Sequence, residues 1–164
     1  LRRSDSDWAP LDQELAFARA YLDVEQARFG QRLTCTIDSD HLPPVPQVPS
    51  MLLQTLIENA VKHGVSQTRG PGRIDVTVRS RADSITVEVR DNGPGIESGS
   101  APAAGHRRPA GAGRRRDGEG FGLRSVRERL AGHFGDRASL TLTRDEEAGM
   151  TIARITMPVA RVAA

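Results

Sequence analysis

Thr55, Glu58, Asn59 and Lys62 are spaced three and four residues apart, so on a helix they share one side. Leu52, Leu53, Leu56, Ile57, Ala60 and Val61 form a wide apolar arc opposite them. The polar side is open to two readings. It is a solvated face, or it is a site where the Asn59 amide oxygen enters the shell of a hard cation and the Lys62 ammonium meets phosphate oxygens. Lys62 is the sole lysine among 23 basic residues; every other cationic position is arginine. That choice points to a need for a compact, mobile point charge.

A second group is Asp91-Asn92-Gly93-Pro94-Gly95-Ile96. It reads as a tight turn, since Asn-Gly and Pro-Gly both favour one. It also reads as a base pocket: glycines let the backbone approach a flat ring, and the carboxylate accepts a hydrogen bond from an exocyclic amino group. A third group, Gly118-Glu119-Gly120-Phe121-Gly122-Leu123, leads into a helix. Alternating glycines there bring backbone N–H groups and the positive end of the helix dipole onto an anion, or they form a hinge; the two are compatible. Neither G-x-x-x-x-G-K-[ST] nor G-x-G-x-x-G occurs, which excludes P-loop and Rossmann chemistry.

The elements that must position these groups follow from periodicity. Leu11, Leu15, Ala18, Leu22 and Phe29 recur at helical spacing, and Gly30 is a stop. Leu33, Cys35 and Ile37 mark a half-buried strand. Pro43, Pro44 and Pro46 punctuate a loop, and Pro49 or Ser50 opens a second helix running to about His63. Ile74, Val76 and Val78, then Ile85, Val87 and Val89, make a hairpin across Ser80 to Asp83. A third helix runs from about Gly122 to Phe134. Leu140 and Leu142 pair with Ala153, Ile155 and Met157 across an acidic turn at 145–149.

Each strand shows one apolar face, so helices cover one side of the sheet only. The expected fold is an α/β (α+β) two-layer sandwich, with a one-faced sheet of about five strands under three helices. At 164 residues one domain suffices. A single cysteine, Cys35, excludes a disulfide framework and a multi-thiolate zinc site. The formal net charge is +2, yet residues 97–117 alone hold five arginines and two acids. The excess positive charge therefore belongs to one loop, without the aromatic platform of a nucleic-acid binder. We expect no nucleic-acid partner; tight, steeply salt-dependent duplex binding would mark one.

Taken in order, the Asn-bearing helix, D-x-G-x-G turn, long lid and G-x-G-x-G helix start resemble the N, G1 and G2 boxes of the GHKL ATP-binding superfamily, whose fold is the Bergerat sandwich with a mixed sheet. Within it, Leu53 to Gly64 is similar to the N box of LytS-type sensor histidine kinases, with Thr55 where a proline is usual. Glu14-Leu15, Tyr21-Leu22 and Arg28-Phe29 resemble the opening of their catalytic domains. Gly122-Leu123 through Val126-Arg127-Glu128-Arg129-Leu130 fits their G-L-x-N-V-R-E-R-L pattern, with Ser125 in place of Asn.

The resemblance implies a catalytic domain over 11–158 with an ATP lid at 97–117, preceded by a linker at 1–10 and followed by a tail at 159–164. It implies ATP and Mg²⁺ as cofactors. Asn59 would coordinate Mg²⁺, and Lys62 would contact phosphate. Asp91 would accept the adenine amino group, in a pocket shaped by Gly93, Gly95 and Ile96, with Thr151 nearby. Gly118, Gly120, Gly122 and Leu123 would belong to the closing lid. His63 would line the pocket and Glu58 would polarise the acceptor.

The ATP-hydrolysing and anti-sigma serine-kinase branches carry a general-base Glu where Thr55 stands, so those activities fit less well. No H-F-L-F-N-like segment with a phospho-accepting histidine occurs in the sequence. The implied role is the ATP-binding piece of a two-component kinase, presenting the γ-phosphoryl to a histidine on a dimerisation domain elsewhere, for relay to a response regulator. The full-length protein would be a membrane-associated homodimer with this domain in the cytoplasm. A non-catalytic nucleotide-sensing or protein-docking module is the alternative.

Overall fold

The structure is a computed structural model, and it describes residues 7–40, 45–95 and 121–159. Helix α1 (Leu11–Phe29) has the expected span, with Leu11, Leu15, Ala18 and Leu22 buried. Gly30 ends it at φ 61°, a left-handed conformation that glycine adopts without a Cβ penalty. Helix α2 (Leu52–Asn59) begins later than Pro49 or Ser50, and its last turn widens into a π-helical segment, Ala60–Gly64. Two features delay its start. Pro49 belongs to a strand, and Met51 takes a left-handed φ of 61°. The Glu14 carboxylate then caps the helix from α1, accepting the Met51 N–H at 2.7 Å and the Leu53 N–H at 3.0 Å.

Residues 8–10, expected to be linker, are instead a strand. β1 (Trp8–Pro10) pairs antiparallel with β3 (Gln47–Pro49), and Trp8 packs edge-on against Phe134 at 5.7 Å. Three residues are too few to show a period, so backbone pairing and one aromatic contact decide this element. Val159, expected to be tail, donates its N–H to the Asp83 carbonyl.

The main sheet has five strands in the order β2-β4-β5-β7-β6: β2 (Leu33–Asp40), β4 (Gly72–Ser80), β5 (Ser84–Asp91), β7 (Met150–Pro158) and β6 (Ser139–Asp145). β2 and β4 are parallel and the other pairs antiparallel, so the sheet is mixed, as expected. Cross-strand rows on the helix-covered face run Ser39–Val78–Val87–Ile155–Leu140, then Ile37–Val76–Val89–Ala153–Leu142. These pack beneath α1, α2 and α3 (Phe121–Phe134), the last through Leu123, Val126 and Leu130. The third row reads Cys35–Ile74–Asp91–Thr151–Arg144 and turns polar halfway across.

The other face is polar. Glu88 lies between Arg90 and Arg154, at 2.5 and 2.6 Å. Burial alone would raise its carboxyl, but these two hydrogen bonds outweigh it and hold the group below its ordinary value. No helix among the described residues is long and apolar enough to cross a membrane.

Candidate functional site

The polar end of the third row is the natural place for a site, because the same face is fully apolar one row earlier. Asp91 is only 6% exposed. Burial pushes its carboxyl up from 3.8 to about 6, against the Gly93 N–H donated to Oδ1 at 2.9 Å and the nearby Arg144 cation, which both lower it. Thr151 is its neighbour across β7, and Arg144 is the neighbour of Thr151 across β6. One nitrogen of Arg144, Nη1, donates to the Gly93 carbonyl at 2.8 Å and to Thr151 Oγ1 at 3.0 Å.

The end of the π-helical turn lies against this carboxylate. A Cβ at Gly64 would sit 2.2 Å from Asp91 Oδ1, and one at Gly93 would sit 2.3 Å from the Gly64 Cα. Both glycines are therefore required by close packing around the carboxylate, Gly93 against the helix end as well as in its turn. Gly95 has φ 88°, which demands glycine for a different reason, and it borders the Arg144 guanidinium.

Gly64 joins the Asp91–Gly93 turn to the polar side of α2. Asn59 and Glu58 are half-buried, while Lys62 and His63 are exposed within the π-helical segment. Gln54 Nε2 donates to Glu58 Oε1 at 2.9 Å, and burial together with the Glu25 and Glu58 carboxylates raises the Tyr21 hydroxyl. Thr55 donates its hydroxyl to the Met51 carbonyl at 2.7 Å. A Cβ at Gly122 would approach Thr55 Cγ2 to 3.1 Å, so the start of α3 touches the polar side of α2. Three motifs far apart in sequence thus meet around one helix.

Ile96, Gly118 and Gly120 lie outside the described residues, as does the segment expected to be a lid. Leu123 is 1% exposed within the core, so its side chain presents no surface to a ligand. Two residues at the site were not anticipated. Gly64 reads in sequence as a helix stop only. Arg144 had a visible signal: it continues the apolar phase of Leu140 and Leu142, where a charge is out of place unless it faces an opening.

The donor set suits a nucleotide better than a bare metal. No group of three or more His, Cys, Asp or Glu side chains among the described residues can hold a metal ion. A divalent cation here would rest on the single Asn59 amide oxygen, completed by phosphate and water, which is how Mg²⁺ is commonly held.

Residues 46–161 match the family of histidine kinase-, DNA gyrase B- and HSP90-like ATPases, and the chain belongs to it. It is 35% identical over 130 residues to the sensor protein LytS of Staphylococcus haemolyticus, covering 79% of this chain and 22% of that protein. It is 32% identical over 131 residues to the sensor histidine kinase BtsS of Escherichia coli, covering 80% of this chain and 20% of that one. The chain thus spans about a fifth of the relatives it matches.

Among solved structures, the catalytic domain of histidine kinase ThkA superposes with a TM-score of 0.63 at 16% identity, over 93% of this chain and 96% of that one. ThkA in complex with the response regulator protein TrrA gives 0.59 at 13%, over 93% and 41%. At these identities the likeness establishes the fold, a histidine-kinase catalytic-domain sandwich.

Proposed function

We propose that this chain is the ATP-binding catalytic domain of a LytS-type sensor histidine kinase, which holds Mg-ATP and offers its γ-phosphoryl to a histidine outside the chain. The observation that carries the reading is the junction at Gly64. It sets a buried carboxylate, suited to an amino group, directly beside a helix bearing Asn59 and Lys62, suited to cation and phosphates. In this reading Asp91 accepts the adenine amino hydrogen and Thr151 lies beside it on the same row. The Lys62 ammonium, exposed and free to swing, meets phosphate oxygens. Mg²⁺, held through Asn59, would supply neutralising charge on the phosphates. Glu58, which accepts a hydrogen bond from Gln54, would orient the acceptor imidazole in this reading. Gly122, beside Thr55 at the start of α3, borders the phosphate side of the site, and His63 flanks it from the π-helical turn.

The Thr55 hydroxyl is engaged with the Met51 carbonyl, and threonine is no general base. That supports transfer to an outside histidine over direct ATP hydrolysis or serine phosphorylation. The partners that follow are a histidine-bearing dimerisation domain and a response regulator, within a membrane-associated homodimer whose catalytic domain faces the cytoplasm.

The test is incubation of the chain with γ-labelled ATP, alone and with a separately supplied dimerisation segment of a LytS-type kinase. The chain should not label itself and should label the segment's histidine. ATP binding without any transfer would favour a nucleotide-sensing module. Stoichiometric self-labelling would contradict the proposal.

A further inference from the structure

The geometry points to Arg144 as the residue that tunes base specificity, by biasing the Thr151 hydroxyl toward donating a hydrogen bond to the purine. This rests on the reading of Asp91 and Thr151 as the base-binding pair and adds the reason that pair would select adenine.

The argument is an accounting of protons. A guanidinium can only donate, so the direction of its hydrogen bonds is unambiguous. Arg144 Nη1 carries two hydrogens, and both have acceptors: the Gly93 carbonyl at 2.8 Å and Thr151 Oγ1 at 3.0 Å. A threonine hydroxyl has one proton and can otherwise rotate to donate or accept. With Arg144 donating into one of its two lone pairs, Thr151 cannot point its proton at the guanidinium, and the bond biases the hydroxyl toward donating along the row. Its neighbour along the row is Asp91, whose Oδ1 already accepts the Gly93 N–H. The end of the row therefore presents an acceptor, the Asp91 carboxylate, beside a hydroxyl, Thr151, that Arg144 biases toward donating.

Adenine offers the complement, an amino donor at C6 beside the acceptor N1. Hypoxanthine and guanine offer the reverse, an acceptor O6 beside the donor N1–H. Without Arg144 that bias is lost, the hydroxyl turns as readily to accept the N1–H, and half of the discrimination would vanish. The cation also opposes the desolvation of Asp91, favouring the ionised carboxylate that can only accept.

Arg144 is well placed to act this way. It lies on an edge strand, its side chain is 25% exposed, and its only other close ionic partner among the described residues is the exposed Glu146, at 3.9 Å. Gly95 flanks it, and the guanidinium lies outside the hydrophobic core.

The experiment is calorimetric titration of ATP and ITP into the chain and its Arg144→Met, Thr151→Val and doubly substituted variants. The two nucleotides carry the same triphosphate, so contributions from Asn59 and Lys62 cancel in the ratio of affinities. Arg144→Met should lower the preference for ATP over ITP about tenfold, because the site's polar groups no longer mismatch hypoxanthine. In the Thr151→Val background the same change should leave the ratio where it was, since Arg144 acts through the hydroxyl. Thr151→Ala serves the same purpose if valine disturbs the strand.

A purely structural role would weaken both nucleotides alike, and that result would overturn the inference. So would a ratio that still moves when Thr151 is absent. If the unsubstituted chain shows no preference for ATP over ITP, the base-pocket reading of Asp91 itself fails. A preference that Arg144→Met leaves intact refutes the role of Arg144 alone.

Discussion

Asp91→Asn should make the nucleotide-free chain more stable while removing the function of the site. Asp91 is 6% exposed, and burial raises its carboxyl from 3.8 to about 6. Between those two values the folded protein binds a proton that the unfolded chain does not. The stabilisation from that proton is fully present below 3.8 and is lost as pH rises through 6. At 1.36 kcal/mol per pH unit, the ionised carboxylate costs the folded state roughly 3 kcal/mol at neutral pH. Asparagine carries no such charge and can keep the Gly93 N–H bond through its own Oδ1. Its buried amide hydrogens take back about 1 kcal/mol or more.

The net expectation is a gain of about 1–3 kcal/mol, or a Tm higher by about 2–4 °C for each kcal/mol. The assay is urea denaturation without nucleotide at pH 7.5 and pH 5. The advantage of Asp91→Asn should be largest at pH 7.5 and shrink toward pH 5 as the natural carboxyl takes up its proton. An asparagine variant no more stable at pH 7.5, with an unchanged dependence on pH, would refute the claim that this carboxylate is held ionised at a cost.

Gly64→Ala and Gly93→Ala should each lose about 3 kcal/mol or more in the same assay, since the new Cβ would lie 2.2–2.3 Å from Asp91 Oδ1 or the Gly64 backbone, while Gly70→Ala, with nothing within 4 Å, should be near neutral. Glu14→Ala should cost about 1–2 kcal/mol by uncapping α2, and Met51→Gly should gain about 1 kcal/mol by relieving the left-handed backbone; urea midpoints report both. Burial, then the Asp23, Asp75 and Glu25 carboxylates, push the Cys35 thiol up to about 11, so it stays protonated through neutral pH. Iodoacetamide at pH 8 should therefore modify Cys35 far more slowly in the folded chain than in urea, and equal rates would contradict the assignment.

Much of this architecture is legible in the residues because the core depends on strict periods. α1 spans 11–29 as its apolar spacing and Gly30 require, and the alternation in β4, β5 and β7 identifies the single buried face. What the sequence conceals is set by partners distant along the chain. The start of α2 depends on Glu14, thirty-seven residues before Met51, and no local cap marks it. β1 and β3 exist through each other and the packing of Trp8. The π-helical turn lets Gly64 reach Asp91, a contact that neither segment signals alone. At the site, Asp91 and Thr151 stand out by family resemblance, whereas Arg144 stands out only by its phase in β6. The resemblance draws attention to loops and glycines, and Arg144 lies on an edge strand.

The most direct test of the central reading is calorimetric titration of ATP into the chain and into Asp91→Asn at pH 7.5. If the sheet end reads adenine through this carboxylate, the unsubstituted chain binds ATP and the more stable asparagine variant binds at least about tenfold more weakly, the loss expected for one buried charge-assisted hydrogen bond. Equal affinities would contradict the adenine assignment, and with it the proposed place of ATP at the end of this row.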